Sequence, residues 1–264
     1  MTPPLLPSWP YPRWIAHRGA GKLAPENTLA AFRVGASHGY RMFECDVKLS
    51  ADGIAFLMHD AELDRTTNAT AMLGSAKQGA GPVGGNHPWH TLSQLDAGSW
   101  HSPAFAGEPL PTFEAIVRFC IHNHYHLNIE IKPTPGTERR TGEAVAHQAN
   151  RLWQGAGVAP LLTSFDVPAL EGALAAQPAL PRGLLVHDLE GKPFSQWVAQ
   201  ARALECVAMV LNHSLWNDDT VQQARTAAMR TASYTVNDTA EAERLIRLGI
   251  DGLITDRVDL FHPD

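Results

Sequence analysis

Short apolar runs alternate along the chain with amphipathic segments of helical period. The runs predict strands over 13–17, 42–48, 54–58, 126–132, 161–165, 182–187, 207–211, 231–236 and 251–255. Helical periodicity covers 29–38, 113–123, 138–154, 166–176, 193–203, 217–228 and 238–248, with Asn27 a candidate N-cap for the first helix and Gly39 its stop. Asp52-Gly53 forms a tight turn that folds 54–58 back beside 42–48. Leaving that return strand aside, eight strands alternate with helices, the pattern of right-handed βαβ crossovers and a parallel sheet. We therefore expect a single domain over 1–264, an α/β fold closed as a (β/α)8 TIM barrel, with an open doubly wound sheet as the alternative. Periodicity fails over 61–111, where glycines and prolines surround one short helix near 91–95, so this stretch reads as a small insertion or cap after strand 2.

Polar residues within the apolar runs are the next signal. In an extended strand Glu44 and Asp46 share one face and Cys45 takes the other, and the same alternation aligns Asn128, Glu130 and Lys132. His17 and Arg18 close the first strand, His59 ends the return strand, and Ser164, Asn212, Tyr234 and Asn237 close later ones. In a barrel these are the positions of an active site. Inward carboxylates need protons, cationic partners or a metal. Glu44, Asp46 and Glu130 offer oxygen alone, which suits Mg2+, Ca2+ or Mn2+ better than Zn2+. A structural ion network with Arg18 and Lys132 is the plainer alternative. His17 and His59 suit acid and base catalysis, although either alone would more often be structural. Arg18 and Lys132 suit a phosphate clamp. Asp64-Arg65-Thr66-Thr67-Asn68 reads as a structural turn pinning the return strand, and Tyr234 and Trp100 as apolar contacts for a substrate or for the core.

Composition narrows the partners. The 264 residues are 44% hydrophobic and 18% charged, as in ordinary globular proteins. A net charge of -6 with no cluster of Lys and Arg argues against nucleic acid. Three scattered cysteines, Cys45, Cys120 and Cys206, read as buried free thiols in a reducing compartment. A proline-rich N-terminus without a signal-peptide pattern, and no apolar run of membrane-spanning length, point to a cytoplasmic protein with no stable membrane insertion.

Taken together, His17-Arg18-Gly19, Ala24-Pro25-Glu26-Asn27-Thr28, Glu44-Cys45-Asp46-Val47, His59-Asp60, Leu63 to Asn68, Ile129-Glu130-Ile131-Lys132, Tyr234 to Asn237 and Asp251 to Asp256 resemble the glycerophosphodiester phosphodiesterases. Gly21-Lys22-Leu23, Leu211-Asn212-His213 and the Tyr234 region are similar to its bacterial cytoplasmic members linked to glycerol-3-phosphate uptake. The resemblance implies metal-dependent hydrolysis of a small-molecule glycerophosphodiester to sn-glycerol 3-phosphate and an alcohol. It implies Glu44, Asp46 and Glu130 as ligands of one divalent cation, Mg2+ or Ca2+, and His17 and His59 as the acid-base pair. Arg18 and Lys132 would contact phosphate, with Asn212 and Tyr234 as further substrate contacts. Many members of the family carry Trp where Tyr234 stands. A phospholipase-D-like or phosphoinositide-type hydrolase acting on intact lipids is the enzymatic alternative, and a non-catalytic phosphodiester-binding barrel the other.

Overall fold

The computed structural model describes residues 6–74 and 81–263. Its strands are β1 (Trp14–Ala16), β2 (Met42–Leu49), β3 (Ala55–Leu57), β4 (His126–Ile131), β5 (Leu161–Ser164), β6 (Arg182–Val186), β7 (Ala208–Asn212), β8 (Arg230–Tyr234) and β9 (Gly252–Thr255). The helices are α1 (Leu29–Ser37), α2 (Ala69–Leu73), α3 (Trp89–Leu92), α4 (Phe113–His122), α5 (Glu138–Leu152), α6 (Val167–Ala176), α7 (Phe194–Ala203), α8 (Asp218–Thr226) and α9 (Thr239–Leu248). All strands but β3 run parallel, and β1 pairs with both β9 and β2, so the sheet closes into the expected eight-stranded barrel. Antiparallel pairing of Val47 with Leu57 holds β3 outside the ring as the return strand. Among the described residues no helix is long and apolar enough to cross a membrane.

Alternation along β2 explains where the site sits. Met42 points into the barrel, where it packs with Ile15, Leu161, Leu185, Val210 and Ile254. Phe43, Cys45 and Val47 point outward into the layer between strands and helices. Burial of such side chains contributes about 1.5–3 kcal/mol each. Glu44 and Asp46 follow Met42 on the inner face, so the carboxylates stand on an apolar plug at the C-terminal mouth. Asp46 and Glu130 are register partners on adjacent strands.

Two local expectations are corrected. The N-cap of α1 is Thr28, whose hydroxyl accepts from Ala31 N. Asn27 takes a positive φ of 59° and turns its amide into the barrel mouth instead. The helix expected near 91–95 lies at Trp89–Leu92. Leu63, Leu92, Leu95 and Leu110 of the 61–111 stretch form an apolar cluster with Phe56 and Met58 of the return segment, so spacing without period still buries side chains under the return strand.

Helix α1 packs directly on the loop after β1. A Cβ at Gly35 would fall 2.1 Å from the Gly19 carbonyl oxygen, while Gly19 itself holds φ +98°. Gly35→Ala is therefore expected to destabilise the protein by about 1–3 kcal/mol through overpacking. A urea midpoint equal to wild type would contradict this contact.

Candidate active site

Glu44, Asp46 and Glu130 are 2%, 1% and 9% exposed. They present oxygens within 4.8 Å of one another, close enough to share one metal ion. Loop 1 supports two of them. The Arg18 backbone N–H donates to Glu44 Oε2 at 2.9 Å. Asn27 Nδ2 donates to Asp46 Oδ2 at 2.8 Å while Asn27 Oδ1 accepts from Asp46 N at 3.1 Å. Glu44 Oε1 and Asp46 Oδ1 remain buried with no hydrogen-bond partner. Buried polar atoms are nearly always satisfied, so two orphaned carboxylate oxygens facing Glu130 fit a cation. An all-oxygen donor set selects a hard one.

Electrostatics agree with that geometry. Burial, followed by repulsion from Asp46 and Glu130, pushes the Glu44 carboxyl well above its usual range. Glu130 is pushed up to about 7 by burial and then by Asp46. Asp46 goes the other way: although burial opposes ionisation, the charges of Arg18, His59 and Lys132 hold it below its usual range. The cations are pinned at the rim. Arg18 reaches Glu26 at 2.8 Å and Asp46 at 3.3 Å, and Lys132 Nζ lies 2.6 Å from Glu130 Oε1 and 4.0 Å from Asp46 Oδ1.

Each imidazole is anchored through Nδ1. His17 Nδ1 lies 2.6 Å from Asp256 Oδ1, leaving Nε2 3.8 Å from Glu44 Oε2. Asn237 donates to Asp256 Oδ2 at 2.9 Å and accepts from its backbone N–H. Burial opposes ionisation of Asp256, but the hydrogen bond and charge of His17 bring its carboxyl down to about 2. His59 Nδ1 lies 2.6 Å from Asp60 Oδ1. Burial lowers the His59 ring below the ordinary imidazole value, and Asp46 only partly offsets it. A carboxylate on one ring nitrogen fixes the tautomer and leaves the other free for proton transfer.

These groups line a cavity of about 210 Å³ whose far wall is Phe165, Leu185, His187, Tyr234 and Ile254. That volume is below the roughly 300–1,000 Å³ of drug-sized ligand pockets and suits a small polar ligand. A larger groove of about 750 Å³ crosses the outside of the barrel past Trp89, Arg118, His147 and Arg151. Among the described residues the three-carboxylate cluster that could hold a metal ion borders the smaller cavity through Glu44 and Glu130.

The sequence candidates divide accordingly. His17, Arg18, Glu44, His59, Glu130, Lys132 and Tyr234 line the cavity, and Asp46 bonds to its walls. The Tyr234 hydroxyl is buried and has no hydrogen-bond partner. Asn212 is not among the lining residues; its side chain caps the next turn by accepting from Ser214 N. Ser164 donates to the Ile131 carbonyl, and Asn237 holds Asp256. Sequence reasoning gives no role in the site to Asp60, Asp256, Glu26 or His187, and reads Asn27 only as a helix cap. It also passed over Lys48, a fully buried amine brought down to about 8 by burial, which donates to the Lys132 carbonyl at 3.0 Å. Its place on the Glu44 and Asp46 face was the available clue.

Comparison with known proteins agrees with this arrangement. The model of the glycerophosphoryl diester phosphodiesterase family matches residues 17–260. YhdW of Bacillus subtilis is 31% identical over 255 residues, covering 95% of this chain and 96% of that protein. A glycerophosphodiester phosphodiesterase of Caldanaerobacter subterraneus is 30% identical over 250 residues, 92% of this chain and 93% of its own. Among solved structures, an Oleispira antarctica phosphodiesterase in complex with the product sn-glycerol-3-phosphate superposes with a TM-score of 0.82 at 30% identity, covering 93% of each chain. A family match from His17 nearly to the C-terminus encloses every residue that lines the cavity, and the chain belongs to the glycerophosphoryl diester phosphodiesterase family.

Proposed function

We propose that the protein hydrolyses glycerophosphodiesters to sn-glycerol 3-phosphate and an alcohol, with one divalent cation, Mg2+ or Ca2+, held by Glu44, Asp46 and Glu130. The observation that carries this reading is the buried carboxylate triad with two unpartnered oxygens, flanked by two imidazoles that each have one nitrogen pinned. The sn-glycerol-3-phosphate bound by the Oleispira neighbour supports the same product. A reducing, cytoplasmic setting is supported by three buried free thiols.

A divalent cation in the triad supplies Lewis-acid stabilisation of charge growing on the phosphate. Arg18 and Lys132, already at the rim, bind the phosphate oxygens and orient the ester. His17 Nε2 takes the proton of the attacking oxygen, supplied by water or by the glycerol 2-hydroxyl, while Asp256 holds the ring. His59, set against Arg18 and Lys132, gives its proton to the departing alkoxide, since neighbouring positive charge makes the protonated ring a better donor. Over a turnover the P–O bond to the alcohol breaks, a P–O bond to the oxygen of one water forms, and the rings recover their starting protonation as His17 gives up a proton to solvent and His59 takes one from it. Tyr234, with Phe165 edge-on at 5.7 Å, walls the opposite side against the carbon portion of the substrate.

The test is release of glycerol 3-phosphate from glycerophosphocholine and glycerophosphoethanolamine in chelator, then with Mg2+ or Ca2+ returned. Metal-dependent release is expected. No release with either metal would overturn the reading and favour a lipid substrate or a binding role.

A further inference from the structure

We propose that Arg65 is a positioning residue, tying the imidazole of His59 and the guanidinium of Arg18 to one rigid frame. The turn that carries it looks structural from sequence, and its side chain is 45% exposed, where an isolated ion pair contributes little. Its geometry is not that of an isolated pair. Arg65 Nε donates to Asp60 Oδ2 at 2.5 Å, while its two terminal nitrogens donate to the two oxygens of Glu26 at 2.7 Å each. All three nitrogens of the planar fork are thus engaged, by carboxylates from two different loops.

Both carboxylates then act on the cavity. Asp60, with Oδ2 occupied by Arg65, keeps Oδ1 on His59 Nδ1. Glu26 Oε1, shared with Arg65, also accepts from Arg18 NH1 at 2.8 Å, and Arg18 Nε faces Asp46 Oδ2 at 3.3 Å. The chain His59, Asp60, Arg65, Glu26, Arg18 is unbroken. Without Arg65, Asp60 loses the contact that fixes its rotation, and the whole charge of Glu26 falls on Arg18, drawing that guanidinium away from the cavity. The His17 arm rests on Asp256 and Asn237 and shares neither carboxylate.

This inference rests on the proposed function for its kinetic readout and on an independent spectroscopic one for the geometry. In Arg65→Ala we expect kcat on glycerophosphocholine to fall about 10- to 100-fold, as for other outer-shell partners. Arg65→Lys should not restore it, because an ammonium cannot span two carboxylates in the fork geometry. Added guanidinium should restore part of the activity of Arg65→Ala and none of Glu44→Gln. In the histidine-ring 1H–15N spectrum, wild-type His59 should show one Nδ1–H tautomer, mixed in Arg65→Ala, while His17 is unchanged. A His59 spectrum identical in both proteins overturns the proposal, as does a kcat within twofold of wild type or a loss that guanidinium cannot rescue. If wild type hydrolyses no glycerophosphodiester, the proposed function fails, and the ring spectrum still decides the role of Arg65.

Discussion

His17→Ala is expected to lower kcat for glycerophosphodiester hydrolysis by about 10²- to 10⁴-fold, the usual contribution of a positioned general base or acid. The effect should fall on kcat rather than KM, because in the proposed mechanism the Nε2 lone pair acts on the proton in flight, while Arg18 and Lys132 would provide most of the ground-state hold on phosphate. The fold should tolerate the change. His17 lies at the rim with 17% of its side chain exposed, and its main-chain bond to the Thr255 carbonyl does not involve the ring. The liberated Asp256 keeps Asn237 as a partner. A melting temperature close to wild type, together with the kinetic loss, would separate chemistry from structure. Turnover within about tenfold of wild type in a folded His17→Ala protein would remove this residue from the proton-transfer pair.

The sequence makes one arm of the site far more legible than the others. Glu44, Asp46 and Glu130 stand out because period-two alternation places them on the inner face of strands that are otherwise apolar, where a charge needs a reason. The same strands reveal the barrel, since parallel strands covered on both sides read as short continuous apolar runs. What holds His17 is hidden by distance. Asp256 is 239 positions from His17 and reaches it only because β9 closes the ring against β1. Asn27 has the sequence signature of a cap because Asn before a helical run ordinarily is one. In the fold Thr28 takes that place, and Asn27 adopts a left-handed turn that aims its amide at Asp46. Asn212 shows the opposite limit: a polar residue at a strand end is only a candidate for the cavity, and here its side-chain carbonyl caps its own turn. The insertion hid its small core because its apolar residues are spaced by turns, with neither helical nor strand period.

The second large effect is expected from Glu44→Gln, which keeps the side-chain shape, and an oxygen for the Arg18 backbone N–H, while removing one charge from the triad. Hydrolysis should fall by roughly 10³-fold, the several kcal/mol attributed to a bound Lewis acid. Metal binding can be followed without turnover. For wild type, a divalent cation at about 100 times its Kd should stabilise the fold by about 2.7 kcal/mol and raise Tm by roughly 5–10 °C for a chain of this size. Glu44→Gln should lose most of that rise. The pH dependence has a definite sign. In the protein without a cation, burial and mutual repulsion raise Glu44 well above its usual range and Glu130 to about 7. A carboxyl raised in the folded state contributes stability below its unfolded pKa and loses it as pH rises through the folded value. Ligation requires both groups ionised, so the Tm rise should grow with pH up to neutrality and shrink as protons compete below about 7. With one buried charge gone, Glu44→Gln stripped of metal should be at least as stable as stripped wild type above neutral pH. This distinguishes loss of the ion from loss of the fold. A Tm rise in Glu44→Gln equal to that of wild type would place the cation outside the triad.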